Sequence, residues 1–213
     1  MADAELSLSP SDRLMGLVGH LSEQDGFEGV IRELKMGHAG TFDGVWGSSC
    51  ALLAAALAHR CWRTLVVVCP AADLADDLLD DFSLFSKLTP ERFPALEGVS
   101  GDRLLLDEVF GERIRLLKRL GGSAPPEVVV TSIAALLQPV PSRPSLAMQT
   151  RAIRAGDRIG VEDLSRWLVE NEFHRTSAVE LPGEFAVRGG LLDIFAPDWQ
   201  DPVRVEFFGD TIE

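Results

Sequence analysis

A run of β-branched residues at 64–70, TLVVVCP, constrains the fold of this chain more than any other feature of the sequence. A continuous apolar run of this kind is typical of a parallel strand that is buried on both faces. A helical pattern, ADLADDLLDDFSLFSK, follows it directly at 72–87. A strand that passes straight into a helix is half of a βαβ unit, so the sequence predicts a parallel sheet covered by helices.

Strand and helix patterns alternate in the same way from residue 27 to residue 138. The patterns predict helices over 27–35, 48–59, 103–120 and 133–138, and further strands over 41–46, 93–96 and 127–132. We therefore expect an α/β domain built on a parallel sheet.

A proline-rich stretch at 139–146, PVPSRPSL, interrupts this alternation. Proline removes a backbone donor and favours extended geometry, so we place the domain boundary here, with one domain over 1–143 and a second over 144–213. The second contains a predicted strand at 147–153, a helix at 161–173, and two runs of strand alternation at 184–195 and 203–213. A small α+β domain is expected, and its abrupt end in a strand pattern suggests a piece of a longer protein.

The charge and the cysteines limit what this chain can bind. A formal net charge of -13 argues against non-specific binding to nucleic acid, which needs a concentrated positive surface, so a protein partner is expected. Cys50, Cys61 and Cys69 have no metal-ligand spacing and form no even set, as is usual in a reducing compartment. We expect a cytoplasmic protein without a metal, an export signal or a membrane helix.

Residues 44–51 stand where a phosphate loop would lie. A working loop has the pattern G-x-x-x-x-G-K-[ST], in which backbone N–H groups, the lysine and the hydroxyl hold phosphate and magnesium. Gly44 matches the first glycine and Gly47 lies inside the loop, but Ser49, Cys50 and Ala51 replace the second glycine, the lysine and the hydroxyl residue. We expect no ATP hydrolysis and no cofactor. The segment is interpreted as a tight turn, with residual anion binding at the helix start as the alternative.

Two other candidate sites have simpler interpretations. Asp107 and Glu108 follow an apolar run, as in a magnesium-binding nucleotidase signature, but the run continues into a helix, which favours a solvated helix surface. Cys50 lies at a predicted helix start, where a thiol can become reactive. No histidine near it in the sequence offers a base, so packing is favoured and no catalytic residue is assigned.

Three segments carry a resemblance to known families. Residues 30–57, VIRELKMGHAGTFDGVWGSSCALLAAAL, look like the phosphate-loop region of the excision-repair protein UvrB with its catalytic positions lost. Residues 127–141 and 182–213 resemble the transcription-repair coupling factor (Mfd) family more closely. UvrB has a tyrosine-rich hairpin that clamps DNA, whereas this chain contains no tyrosine. The resemblance implies a helicase-like domain with a degenerate phosphate loop, followed by a small α+β domain, from the amino-terminal, UvrB-like region of this family.

The family likeness also implies a role. It implies a non-catalytic module that binds UvrA through the second domain and recruits nucleotide excision repair to stalled transcription. The rest of such a protein would be an ATP-dependent DNA translocase, and its other domains would contact this module, RNA polymerase and DNA. The alternatives are a UvrB-like ATPase or helicase fragment, and a purely structural autoinhibitory domain.

Three residues are candidates for the contact with UvrA. Arg188 at a glycine-rich bend matches a family arginine, and Phe195 and Arg175 are the other two, because arginine and aromatic side chains dominate such interfaces. Strand alternation predicts that Leu192 and Ile194 share one face of a strand, while Phe195 lies on the other with its alternate neighbours. The alternatives are core packing for Phe195 and an ordinary surface role for the two arginines.

Overall fold

The fold is described from a computed structural model that covers residues 9–96 and 103–213, with residues 103–107 described by their backbone only. Its helices are α1 Pro10–Ser22, α2 Phe27–Lys35, α3 Ser48–Ala58, α4 Ala72–Phe85, α5 Arg103–Gly121, α6 Ile133–Leu136, α7 Arg143–Met148 and α8 Val161–Glu170. Its strands are β1 Leu65–Cys69, β2 Glu91–Phe93, β3 Val128–Ser132, β4 His174–Arg175, β5 Glu184–Arg188, β6 Leu191–Phe195, β7 Val203–Phe208 and β8 Thr211–Ile212. The described residues divide into two compact units, the first containing 9–95 and 123–138, the second 96, 103–122 and 139–213.

The first unit is a parallel sheet with helices packed on it. The strand order is β1-β3-β2, and both outer strands run parallel to β3. Phe82 of α4 and Ala55 of α3 are fully buried in one cluster with Val128 and Val130 of β3. The predicted strand at 64–70, the helix at 72–87 and the α/β class are therefore confirmed.

Two predictions for the first unit are wrong. No described residue of 41–46 is in a strand, because Gly44 and Gly47 have φ angles of 75° and 54°, in the left-handed region that breaks an extended run. The strand at 64–70 is not buried on both faces, since Val66 and Val68 are 50% and 45% exposed. β1 is an edge strand of the described sheet, and it packs against the core through one face only.

The second unit is built on a five-stranded sheet of order β4-β5-β6-β7-β8. β4 is parallel to β5, and the other neighbours are antiparallel. Leu164 and Leu168, one turn apart on α8, are buried against Phe185, Leu192 and Ile194 of the sheet. The small α+β architecture is therefore confirmed.

Helix α5 is grouped with the second unit. The Arg115 Nε donates to the carbonyl oxygen of Asp198 at 2.9 Å, and the Lys118 ammonium lies 2.9 Å from the Asp198 carboxylate. Gly111 lies so close to the Pro197 carbonyl that a Cβ would overlap it. The helix that the sequence analysis counted within 1–143 thus packs against the 196–199 turn, and the boundary at residue 143 stays a prediction.

The predicted strand at 147–153 is wrong, because helix α7 occupies its beginning. The Ser142 hydroxyl accepts a hydrogen bond from the Ser145 N–H, and Pro144 lies in the first turn. A serine cap followed by an early proline is a helix-start signal, which the sequence analysis interpreted as a proline-rich linker. The rest of 147–153 has no regular structure.

Candidate functional site

The segment in the position of a phosphate loop forms a compact turn. The Cys50 N–H donates to the Gly47 carbonyl at 2.9 Å, and the Ser49 N–H donates to the Trp46 carbonyl at 3.3 Å. Ala51 is 1% exposed and belongs to the core of the first unit. The two amides that follow the turn are therefore bonded within the segment itself.

Among the described residues, the cysteines and the acidic residues that the sequence analysis considered as candidate sites do not form a cluster. Cys50 packs against the core that contains Cys69, and burial, with a smaller contribution from Cys50, raises the pKa of the Cys69 thiol. Glu108 is exposed on α5, whereas the Asp107 side chain lies outside the described residues. Within the described part of the chain, no three His, Cys, Asp or Glu side chains are grouped as metal ligands would be. None of the described helices is both long and apolar enough to cross a membrane.

The sheet of the second unit has two faces of different character. One face, with Phe185, Leu192 and Ile194, is buried beneath α8. The residues that alternate with these lie on the opposite face, which we call the outer face. It carries Glu184, Ala186 and Arg188 of β5, Leu191, Asp193 and Phe195 of β6, and Arg204, Glu206 and Phe208 of β7.

A row of alternating charges crosses the outer face. The Arg204 guanidinium donates to both carboxylate oxygens of Asp193, at 2.7 Å and 2.9 Å. This hydrogen bond, with smaller contributions from the charges of Arg204 and Arg188, lowers the pKa of Asp193. Glu206 adds to the raised pKa of Arg204, and Arg188 also donates to the Ser177 carbonyl at 2.5 Å. Hydrogen bonds therefore hold Arg188, Asp193 and Arg204 of this charge row in place.

The structure brings together two of the three predicted contact residues. Arg188 and Phe195 both lie on the outer face, Arg188 exposed and Phe195 half-buried. Arg188 is paired with Leu191, so Phe195 lies four residues further along β6, or about 13 Å away along the strand. Arg175 is exposed, but its pairing with the core residue Phe185 directs its side chain to the opposite face.

The sequence analysis placed Asp193 on the same face as Phe195, but it assigned no role to Asp193, Arg204 or Phe208. Asp193 and Arg204 lie opposite each other only because of the β6–β7 register, which the sequence does not reveal. Phe208 is 77% exposed although its neighbour Phe207 packs against the core. The alternation of apolar and polar residues over 203–208 could have placed Phe208 on the same face as Arg204.

An open groove of about 1180 Å³ lies elsewhere in the second unit. Trp167, Trp199 and Ile114 are among its lining residues, and the guanidinium of Arg151 lies 5.9 Å from the centre of the Trp167 ring. Its charged lining is already partly neutralised, because Lys118 is paired with Asp198. The groove also has exposed charged residues in its lining, Arg151 and Glu172 among them.

Comparison with protein families identifies the region that carries the outer face. Residues 152–213 match the UvrB interaction domain. All the strands of the second sheet lie within this match, and helices α5 and α7 lie before it.

The similar proteins include transcription-repair-coupling factors and a UvrABC system protein B. The chain is 38% identical to the transcription-repair-coupling factor of Mycobacterium bovis over 169 residues, which is 76% of this chain. It is 35% identical to that of Myxococcus xanthus over 197 residues, or 88% of this chain. The UvrABC system protein B of Methanosarcina mazei is 22% identical over 208 residues. The matched segments span 13% and 16% of the two coupling factors' own lengths.

Proposed function

This chain belongs, over most of its length, with the UvrB-like region of the transcription-repair-coupling factors, and on that premise we propose that it binds UvrA. In this proposal it is a non-catalytic module that recruits nucleotide excision repair to stalled transcription. The translocase activity, and the contacts with RNA polymerase and DNA, belong to other parts of a longer protein.

The outer face is the observation that carries the proposal. It lies within the match to the UvrB interaction domain, and it presents Arg188, the Asp193–Arg204 pair and two phenylalanines on a five-stranded sheet. Arginine and aromatic side chains contribute most of the binding energy at protein interfaces. Side chains that are already held in place lose less conformational entropy on binding. A surface of this kind is suited to a protein partner.

The degenerate turn at 44–51 supports a non-catalytic role. Cys50 and Ala51 stand in the places of the lysine and the hydroxyl residue, and Ala51 is packed in the core. Charge-assisted hydrogen bonds to phosphate are worth about 1.5–3 kcal/mol each, so nucleotide affinity should fall by at least about tenfold. The proposal therefore assigns no chemistry to this chain.

The proposal is tested by calorimetric titration of the chain into UvrA, with ATP titrated separately into the chain alone. We expect binding of UvrA and no heat from ATP. Binding of ATP without binding of UvrA would support the UvrB-like ATPase instead. No binding in either titration would support the structural, autoinhibitory role.

The substitution Arg188→Ala tests whether the contact with UvrA lies on the outer face. The substitution should weaken UvrA binding by about 1–2 kcal/mol, because it removes an exposed guanidinium whose direction is set by the Ser177 carbonyl. Arg143→Ala is the matched control, since Arg143 is exposed in the same unit but lies before the UvrB interaction domain. Equal affinities for the two variants would place the UvrA contact elsewhere.

A further inference from the structure

Phe208 is the most exposed aromatic residue among the described residues, at 77% of its surface. It is the last residue of β7, pairs with Thr211 of β8, and is followed by Gly209 with a φ angle of 61°. The ring is therefore carried by a paired strand next to a tight turn. Its exposure does not come from a loose segment, and its own strand contributes Val205 and Phe207 to the core.

The register places Phe208 at the same end of the outer face as Arg188, with strand β6 between them. The turn at 189–190 and the turn at 209–210 lie at the same end of the outer face, which we call the turn end. Leu191 lies between Arg188 and Phe208, opposite Glu206 and diagonal to Phe208, within reach of an aromatic ring. The turn end therefore combines an exposed ring, an apolar neighbour and a guanidinium.

Gly190 keeps the surface beside the ring open. The Phe207 N–H donates to the Gly190 carbonyl at 2.8 Å, and a Cβ at Gly190 would lie 2.8 Å from the Phe207 carbonyl oxygen. The two turns therefore approach closely, and the adjacent pair Gly189–Gly190 has no side chains that could cover the Phe208 ring. A partner can reach the ring from this side.

Two other charges of the outer face, those of Asp193 and Arg204, are already matched to each other. Asp193 and Arg204 neutralise each other through two hydrogen bonds, and neither needs a charged group from a partner. Arg188 donates to a neutral carbonyl and keeps further N–H donors exposed. An acidic group on the partner is therefore best matched by Arg188, on the β5 side of the turn end and away from Glu206 of β7.

We infer that Phe208 is an aromatic anchor of the interface, which inserts into an apolar recess of UvrA while Arg188 contacts a carboxylate at the rim of that recess. The inference rests on the proposed function, because it concerns the same partner and the same face. It shifts the centre of the contact from Phe195, which is half-buried at the far end of the outer face, to the turn end.

The test compares UvrA binding of the unchanged chain with that of Phe208→Ala and Phe208→Leu. Phe208→Ala should weaken binding at least tenfold, and Phe208→Leu should restore part of the loss because it returns apolar volume. Trp46→Ala is the control, since Trp46 is 76% exposed in the first unit and should change binding less than twofold. The ring packs little within the chain, so thermal unfolding should stay unchanged in all three variants.

The dependence of UvrA affinity on salt concentration separates the contribution of Arg188 from that of Phe208. Arg188→Ala should reduce the loss of affinity between low and high sodium chloride, because it removes a screened charge contact. Phe208→Ala should keep that loss unchanged while lowering affinity at every salt concentration.

A failure of this inference can be distinguished from a failure of the proposed function. Wild-type affinity of folded Phe208→Ala, with weakened binding by Arg188→Ala, would overturn this inference and leave the proposed function standing. No UvrA binding by the unchanged chain would overturn both.

Discussion

The two faces of the second sheet are formed by alternate residues of the same strands, yet they differ in almost every property. On β6, Leu192 and Ile194 are buried beneath α8, whereas Asp193 between them is paired with Arg204 on the outer face. Burial of apolar surface provides most of the stability of a fold, and exposed ion pairs add little. The outer face can therefore carry binding residues because stability is provided by the other face.

The largest effect on stability is expected from a substitution on the buried face of the second sheet. Phe185→Ala should lower the free energy of unfolding by about 3–5 kcal/mol, since Phe185 is fully buried among the residues of α8 and the sheet. Denaturant unfolding followed by circular dichroism measures the change. A loss below about 1 kcal/mol would mean that this face does not provide the stability of the unit.

An intermediate effect is expected where the two turns meet. Gly190→Ala should destabilise the chain by about 1–3 kcal/mol, because its Cβ would lie 2.8 Å from a backbone oxygen that cannot move alone. Gly16→Ala, in α1 with no neighbouring atom near its added Cβ, should instead stabilise the chain by about 0.5–1 kcal/mol. Equal melting temperatures for the two variants would contradict the close approach of the turns.

The smallest effect is expected on the outer face, and it depends on pH. The hydrogen bond from Arg204 lowers the pKa of folded Asp193 below its ordinary value of 3.8. The stability from this pair is therefore fully present above pH 3.8, and it is lost as the pH falls through the lowered pKa. Such an exposed pair contributes at most about 1 kcal/mol.

Unfolding measured between about pH 2 and pH 6 tests this contribution. Asp193→Asn should flatten the dependence of stability on pH at the acidic end, because its small loss of stability is present near pH 7 and vanishes towards pH 2. A variant that keeps the full acid dependence would show that other carboxylates are responsible for it.

Local sequence patterns were sufficient to predict most helices and strands. They did not predict which strands pair with each other, or in which register. The helix over 27–35 has strong periodicity, the strand over 64–70 is a continuous β-branched run, and both are found in the structure. The Asp193–Arg204 pair and the face on which Arg175 lies depend on strand register, which the sequence does not encode locally. The exposure of Val66 likewise depends on the position of β1 at the edge of the sheet.

The candidate site could likewise be predicted only where local alternation was sufficient. Alternation alone placed Phe195 opposite the buried Leu192 and Ile194, and the structure has this arrangement. The exposure of Phe208 depends on the two turns that meet beside it, and alternation shows only the face on which its ring lies. Register and turn geometry therefore carry the information that residue patterns lack.

The chain passes from the first unit to α5 of the second and then returns to form β3. This order affects how the chain folds while it is being synthesised on the ribosome. The face of α5 with Gly111 and Ile114 is buried in the folded chain, and α5 bonds to Asp198 and Trp199, which are made roughly 80 residues after the helix ends. At about 5–20 residues per second, that interval is about 4–16 s. The apolar face of α5 must therefore stay protected from aggregation while the strands that complete its unit are still being translated.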